Sequence, residues 1–203
     1  MAYLAGSLPT GFLVAKANGI DIRAVGSGNI GATNVFRMLG VPAGVFVLVV
    51  DGLKGFAACT WFADVLLGLL GVPLADAEPQ RIVAGFAVVL GHNFTCWLRF
   101  RGGKGIATSA GVFFALAPLA AGVALATWIV VFALGRYVSL ASVAAAVALP
   151  TAVWLTPNSL PLRLVTTALG LLAIWKHKPN LERLLHGTEH RVGGKPSTPE
   201  AAR

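Results

Sequence analysis

The sequence predicts an all-helical, polytopic membrane protein of about seven transmembrane helices, with its N-terminus outside and its C-terminus in the cytoplasm. Three observations carry that expectation. Hydrophobic residues make up 56% and charged residues 12% of the 203 positions, and the mean hydropathy is +0.77. A soluble domain carries about a quarter charged residues, so too few polar side chains remain here to cover a water-facing surface and the apolar surplus faces lipid. The apolar residues also fall into stretches of span length, and the basic residues collect in alternate connections between them. The same composition excludes a disordered chain, a disulfide scaffold and a coiled coil.

The stretches run over 2–17, 41–71, 82–98, 105–135, 138–155 and 161–175. No basic segment precedes the first one and Lys16 stands at its end, which argues against a cleaved signal peptide and for an outside N-terminus. The stretch 105–135 is too long for one span of about 20 residues, and Pro118 at its middle divides it into two short helices. Connections assigned to the inside carry Lys16, Arg23 and Arg37, then Arg99, Arg101 and Lys104, then Arg136, then Lys176 and Lys178. The alternate connections hold Asp76, Glu78 and Arg81, then no charge around Pro118, then only Arg163. Residues 1–192 read as one membrane-embedded domain and 193–203 as a loose polar tail. Tyr3, Trp97, Tyr137, Trp154 and Trp175 near segment ends suit interfacial belts. Cys59 and Cys96 have apolar neighbours and no ligand-spaced partner, so they read as packing residues.

Sixteen Lys and Arg against eight Asp and Glu give a formal charge of +8. On a soluble chain that excess would suggest nucleic acid; here topology and an anionic substrate account for it, and no nucleic-acid partner is expected. The first inside connection, Asp21 to Arg37, places Gly26, Ser27, Gly28, Asn29, Gly31, Thr33 and Asn34 before Arg37. Glycines expose backbone N–H groups and Arg37 adds a planar fork, a combination that cradles a phosphate. Gly26, Gly28 and Gly31 satisfy GxGxxG, but no strand precedes them, which leaves the dinucleotide reading without its context. A flexible connector is the plain alternative. Arg99-Phe100-Arg101-Gly102-Gly103-Lys104-Gly105 repeats the chemistry ahead of a helix start, or serves as a topology anchor. A third set follows the last span, His177 with Asn180, Arg183 and Glu189; if it is helical from Pro179, Asn180 and Arg183 share a face. Asp51 and Lys54 lie at membrane depth, where each lone charge costs about 2.5–3.5 kcal/mol, and are expected to pair with each other or with polar loops dipping inward. His92, ending the third stretch, is a satisfied core histidine or a proton carrier.

Gly26 to Arg37, Asp51-Gly-Leu-Lys54-Gly55, Gly91-His92-Asn93-Phe94 through Thr108, and Lys176-His177 through Glu189 together resemble the acyl-phosphate:glycerol-3-phosphate acyltransferases of bacterial membranes. The likeness extends from Ser7 to Glu189, and Thr95 departs from it where the family often has Pro. The resemblance implies a multi-pass enzyme of the bacterial inner membrane with its site facing the cytoplasm. It would move a fatty acyl group from acyl phosphate to glycerol 3-phosphate, giving lysophosphatidic acid and inorganic phosphate. No cofactor, metal or obligate protein partner is implied. By motif match Ser27, Lys104, His177 and Asn180 would be catalytic. Gly26, Gly28, Asn29, Gly31, Thr33, Asn34, Arg37, Lys54, His92, Gly102, Gly103 and Arg183 would bind substrate. An acyl phosphate is already activated, so the protein needs mainly to hold two anions and stabilise the carbonyl oxygen. The proton of the attacking hydroxyl then has three candidate acceptors: His177, His92 or a substrate phosphate. A transporter or channel for a small phosphorylated compound is the alternative class; it would place charges at the midplane, yet Arg136 is the only charged residue from Gly105 to Pro161.

Overall fold

The structure, a computed structural model, describes residues 1–71, 73 and 77–193. Asp76 and the tail from 194 onward lie outside the described residues. Among the described residues every regular element is helical. In chain order these are α1 (Ala2–Ser7), α2 (Thr10–Ala17), α3 (Ala32–Leu39), α4 (Val41–Cys59), α5 (Trp61–Leu69), α6 (Glu78–Asn93), a 3-10 turn (Cys96–Leu98), α7 (Ile106–Leu116), α8 (Pro118–Gly135), α9 (Val138–Leu155), α10 (Leu160–Lys176) and α11 (Lys178–Leu185). Val41–Leu69, Glu78–Leu98, Pro118–Gly135 and Val138–Leu155 are long and apolar enough to cross a membrane. The 105–135 stretch breaks at Pro118, as its ring requires, because a proline lacks the N–H that would continue α7.

Three elements differ from the sequence reading. The stretch 41–71 divides at Thr60 into α4 and α5. The first apolar stretch is two half-helices, broken at Leu8-Pro9. The second half of the polar connection is helix α3, so Thr33, Asn34 and Arg37 stand on a helix and not in a loop. The Gly-rich run that precedes α3 masks its short amphipathic pattern.

Packing follows the rule for lipid, where hydrophobic burial does not drive helices together and small residues let backbones approach. A Cβ on Gly55 of α4 would stand 2.1 Å from the Thr108 carbonyl of α7, and one on Gly6 of α1 would stand 2.0 Å from that of Val88 on α6. These pairs, with α8 on α9 and α9 on α10, form the bundle. Its core holds Val88, Val89, Val112, Phe113, Val153 and Leu169, while Phe46, Val49, Leu53, Leu134 and Leu155 face outward.

The break between α1 and α2 accounts for the charges at membrane depth. Breaking a helix inside the bilayer frees backbone groups that lipid cannot satisfy. The Leu8 carbonyl accepts from Lys54 Nζ at 3.2 Å, and Lys54 is held by Asp51 Oδ1 at 2.7 Å. Thr10 Oγ1 donates to the same carboxylate oxygen at 3.0 Å. The expected pair of Asp51 and Lys54 is thus also the clamp on a broken helix.

Candidate active site

Three chain segments far apart in sequence meet at one end of the bundle, around a cavity of about 330 Å³. The Gly-rich connection supplies Ser27, Asn29 and Gly31, and α3 supplies Thr33, Asn34 and Arg37. Lys104 stands just before α7, and His177 and Asn180 lie at the junction of α10 and α11. Asp51 and His92 reach the same cavity from below. Beyond this polar end the walls are apolar, with Phe113, Phe114, Ala121, Leu125, Trp128 and Leu149. Leu48, Phe114 and Leu125 line the cavity yet remain exposed on the outside of the bundle, so its apolar end reaches the lipid-facing surface.

Asn34 organises the first segment. Its Oδ1 accepts the Ser27 N–H at 2.9 Å, and its Nδ2 donates to the Ile22 and Val25 carbonyls at 3.2 and 3.1 Å. All three bonds go to backbone, so this buried amide fixes the loop and leaves the Ser27 hydroxyl to the cavity. Asn29 acts likewise, its Oδ1 accepting from Gly31 N at 2.9 Å.

The third segment is held by Glu189. Helix α11 ends in a Schellman turn: Thr188 N–H donates to Arg183 O at 2.8 Å and Gly187 N–H to Leu184 O at 3.1 Å. Gly187 takes the left-handed conformation that turn requires, with φ 69°. The reversal brings the Glu189 carboxylate back against its own helix. Oε1 accepts from Asn180 Nδ2 at 2.7 Å and from Ser139 Oγ of α9 at 2.8 Å, and Oε2 accepts from Arg183 Nε at 2.7 Å. Asn180 and Arg183 do share a helix face, and Glu189 is what they face. Burial opposes its charge, but the bonds from Asn180, Ser139 and Arg183 outweigh that and keep the carboxyl below its ordinary pKa. With Nδ2 so committed, Asn180 presents Oδ1 to the Lys104 ammonium, which donates to it.

Burial lowers the Lys104 pKa to about 8; Glu189 opposes the shift, and the cations of Arg183 and Arg37 add to it. Burial and then the charge of Lys104 lower the His177 pKa to about 4. The ring is neutral at pH 7, and its tautomer is fixed. Nδ1 sits 2.7 Å from the Ala173 carbonyl, which only accepts, so Nδ1 carries the hydrogen and Nε2 the lone pair. His92 is the reverse case: Nδ1 faces Lys54 Nζ at 3.0 Å and must accept, which puts the hydrogen on Nε2. That ring packs on the second loop, since a Cβ at Gly103 would stand 2.1 Å from His92 Nε2.

Of the remaining residues singled out by motif, Lys54 lies beneath the cavity in the Asp51 clamp, Arg183 acts on Glu189, and Gly103 seats His92. Gly26 meets Asn34 Oδ1, and Gly28 and Gly102 turn to the opposite side of the loops. Ser139 was not visible in the sequence, because a serine in an apolar span carries no signal until its partner, 50 positions away, is in place. Glu189 had one: it is an acid in a basic segment and within a matched motif.

A family model described as glycerol-3-phosphate acyltransferase matches residues 1–187. A glycerol-3-phosphate acyltransferase of Trichlorobacter lovleyi is 45% identical over 190 residues, covering 94% of this chain and 93% of that protein. One from Geobacter metallireducens is 50% identical over 190 residues, covering 94% and 93%. The fold matches a crystal structure of PlsY, an integral membrane glycerol 3-phosphate acyltransferase, in its glycerol 3-phosphate form. The TM-score is 0.84 and the identity 38%, over 94% of this chain and 91% of that one. The lysophosphatidic acid form of PlsY gives a TM-score of 0.81 at the same identity and coverage. With a match along nearly its whole length and the three motifs gathered at one cavity, the chain belongs to the glycerol-3-phosphate acyltransferase family.

Proposed function

We propose that this acyltransferase moves a fatty acyl group from acyl phosphate to the 1-hydroxyl of sn-glycerol 3-phosphate by direct transfer, releasing lysophosphatidic acid and inorganic phosphate. The observation that carries the reading is the two-ended cavity. One end gathers Arg37, Lys104, Ser27, His177 and Asn180; the other is apolar and reaches the lipid-facing surface between helices. That shape and polarity suit a reactant with a phosphate head and a fatty chain beside a second phosphate.

In the proposed step the substrate hydroxyl oxygen attacks the acyl carbonyl, the carbonyl-to-phosphate C–O bond breaks, and phosphate leaves with the electron pair. Arg37 and Lys104 hold the anionic oxygens, whose charge rises as phosphate departs. Ser27 Oγ donates a hydrogen bond at the reacting centre. His92 is a poor acceptor for the hydroxyl proton, because its only lone pair is turned to Lys54. His177 has a free Nε2, but with a pKa near 4 it is a weaker base than a phosphate monoester, whose second pKa is about 6. A phosphate oxygen therefore takes the proton of the attacking 1-hydroxyl, and His177 Nε2 accepts a hydrogen bond from the neighbouring 2-hydroxyl, which orients the glycerol.

The site faces the cytoplasm of the bacterial inner membrane in this reading, with seven crossings made by α1–α2, α4, α6, α7, α8, α9 and α10 and the N-terminus outside. Support comes from the basic residues gathered at the cavity's polar end, which the positive-inside rule assigns to the cytoplasm. Residues 1–192 act as one domain.

The direct test gives detergent-purified protein a synthetic acyl phosphate with and without glycerol 3-phosphate. Inorganic phosphate and lysophosphatidic acid are expected in equal amounts, only when both substrates are present. Turnover of an acyl thioester with no use of acyl phosphate would reject the proposed donor.

A further inference from the structure

We infer that a second phosphate-binding site lies behind the Gly-rich loop, separated from the catalytic cavity by one thickness of backbone. Residues 27 to 31 alternate along that wall. Ser27, Asn29 and Gly31 line the catalytic cavity. Gly28 and Ile30, between them, line a separate pocket of about 620 Å³ whose other walls include Arg23, Arg99, Arg101 and Gly102. The second loop divides in the same way, with Gly102 on the far side and Lys104 on the near side.

The charge in this pocket is unbalanced. Arg23 is committed to Asp21 through Nε and Nη2 at 2.9 and 2.8 Å. Arg99 and Arg101 form no ion pair with any described residue. Their turn is a fixed one, not a frayed connection. Arg99 and Phe100 are consecutive left-handed residues with φ 53° and 60°, a conformation that side-chain-bearing residues keep only where the surroundings impose it. Phe100 N–H donates to Thr95 O at 2.9 Å and Arg101 N–H to Leu98 O at 3.1 Å. Trp97 and Phe100 on the same turn are 65% and 63% exposed, large aromatics of the kind that settle at headgroup level. The pocket therefore combines two guanidinium forks that are unpaired among the described residues, glycine on two walls and exposed aromatics of the kind found at headgroup level.

Guanidinium forks match phosphate oxygens in paired hydrogen bonds, and among the described residues no carboxylate lines the pocket to repel an anion. The ligand is a phosphate group. It comes either from water, as inorganic phosphate or a phosphate monoester, or from the headgroup of an anionic lipid. A ligand there touches the backs of both loops, at Gly28 and Gly102, so its occupancy bears on the loops that carry Ser27 and Lys104. The site stands on its own geometry and is independent of the acyl donor.

Equilibrium dialysis of radiolabelled inorganic phosphate against the full-length protein in phosphatidylcholine nanodiscs tests it. The unaltered protein should bind one phosphate per chain more than the Arg99→Gln/Arg101→Gln protein, and the Arg37→Gln/Lys104→Gln protein, with its catalytic cavity disabled, should still bind that one. Equal binding by the unaltered and Arg99→Gln/Arg101→Gln proteins, or none by the Arg37→Gln/Lys104→Gln protein, would overturn the inference. A second measurement leaves both arginines in place: in the Arg37→Gln/Lys104→Gln protein, phosphate should shift a component of tryptophan emission that disappears with Trp97→Phe. No such shift also overturns it. Repeating the dialysis in nanodiscs containing phosphatidylglycerol assigns the occupant. Loss of the second phosphate there identifies a lipid headgroup; its retention identifies a soluble phosphate.

Discussion

Asn180 offers its amide oxygen to the Lys104 ammonium because its amide nitrogen is already given to Glu189. One carboxylate thus decides which way an amide points and, through it, where the principal cation of the site stands. The relation joins a residue before α7 to one on α11, 76 positions later, and it makes the third motif a holder of the second.

Replacing Glu189 by Gln should cost turnover more than stability. The amide has one acceptor oxygen where the carboxylate uses two, so its NH₂ either meets the Arg183 Nε–H donor to donor or, with the amide turned over, meets Asn180 Nδ2 and loses or reverses that bond. A fall of about 10- to 100-fold in kcat is expected. Asn180→Ala should fall by a similar factor, and the double variant by little more than either, since both act through Lys104. Fully multiplicative losses would show that Glu189 acts elsewhere.

Arg37→Ala and Lys104→Ala should each lose about 10²- to 10³-fold in kcat/KM with the fold intact. Lys104 also sets an alkaline limit. Its pKa is lowered to about 8, so the ammonium is present below that pH and is lost as pH rises through it. The kcat/KM profile should fall tenfold per unit above about pH 8. Lys104→Arg, ionised to above about pH 12, should remove that limb; an unchanged limb would assign it to another group.

The clamp at the broken helix should be sensitive to charge. Asp51→Asn leaves the Lys54 ammonium without its counter-charge among buried neighbours, which for such pairs costs about 3–5 kcal/mol. Asp51→Asn/Lys54→Met removes the stranded charge and should recover part of the loss, though not the bond to the Leu8 carbonyl. Thermal unfolding in detergent reads both. A single variant as stable as the unaltered protein would show that the pair does not support the break.

Cysteine labelling reads the orientation. In protein lacking Cys59 and Cys96, an impermeant reagent applied outside should reach Pro157→Cys and miss Asn18→Cys and His186→Cys, all at exposed positions. Outside labelling at Asn18 would put the polar end of the cavity on the wrong face.

The helical class was legible because lipid exposure leaves its mark on composition, and the break at Pro118 because proline has one meaning there. The motif loops were legible as clusters of glycine and basic residues. The break at Pro9 was not, since its repair comes from Lys54, 46 positions away from Leu8. Nor was the division of labour within the motifs. Asn34 reads like a substrate ligand in a Gly-rich run, yet its three bonds go to loop backbone. His92 and His177 look alike in sequence and are both engaged at Nδ1; they differ in whether that partner donates, as the Lys54 ammonium does, or accepts, as the Ala173 carbonyl does.

Direct transfer is the central claim, and acyl phosphate labelled in its acyl group tests it most directly. Neither Cys59 nor Cys96 lines the cavity, and the Ser27 hydroxyl has no hydrogen-bonded base among the described residues to make it a nucleophile. Incubated with the labelled donor alone, quenched and digested, the protein should yield no labelled peptide. On addition of glycerol 3-phosphate the label should pass straight to lysophosphatidic acid. Stoichiometric acylation of Ser27 without glycerol 3-phosphate, followed by transfer with ping-pong kinetics, would contradict direct transfer and make Ser27 the nucleophile.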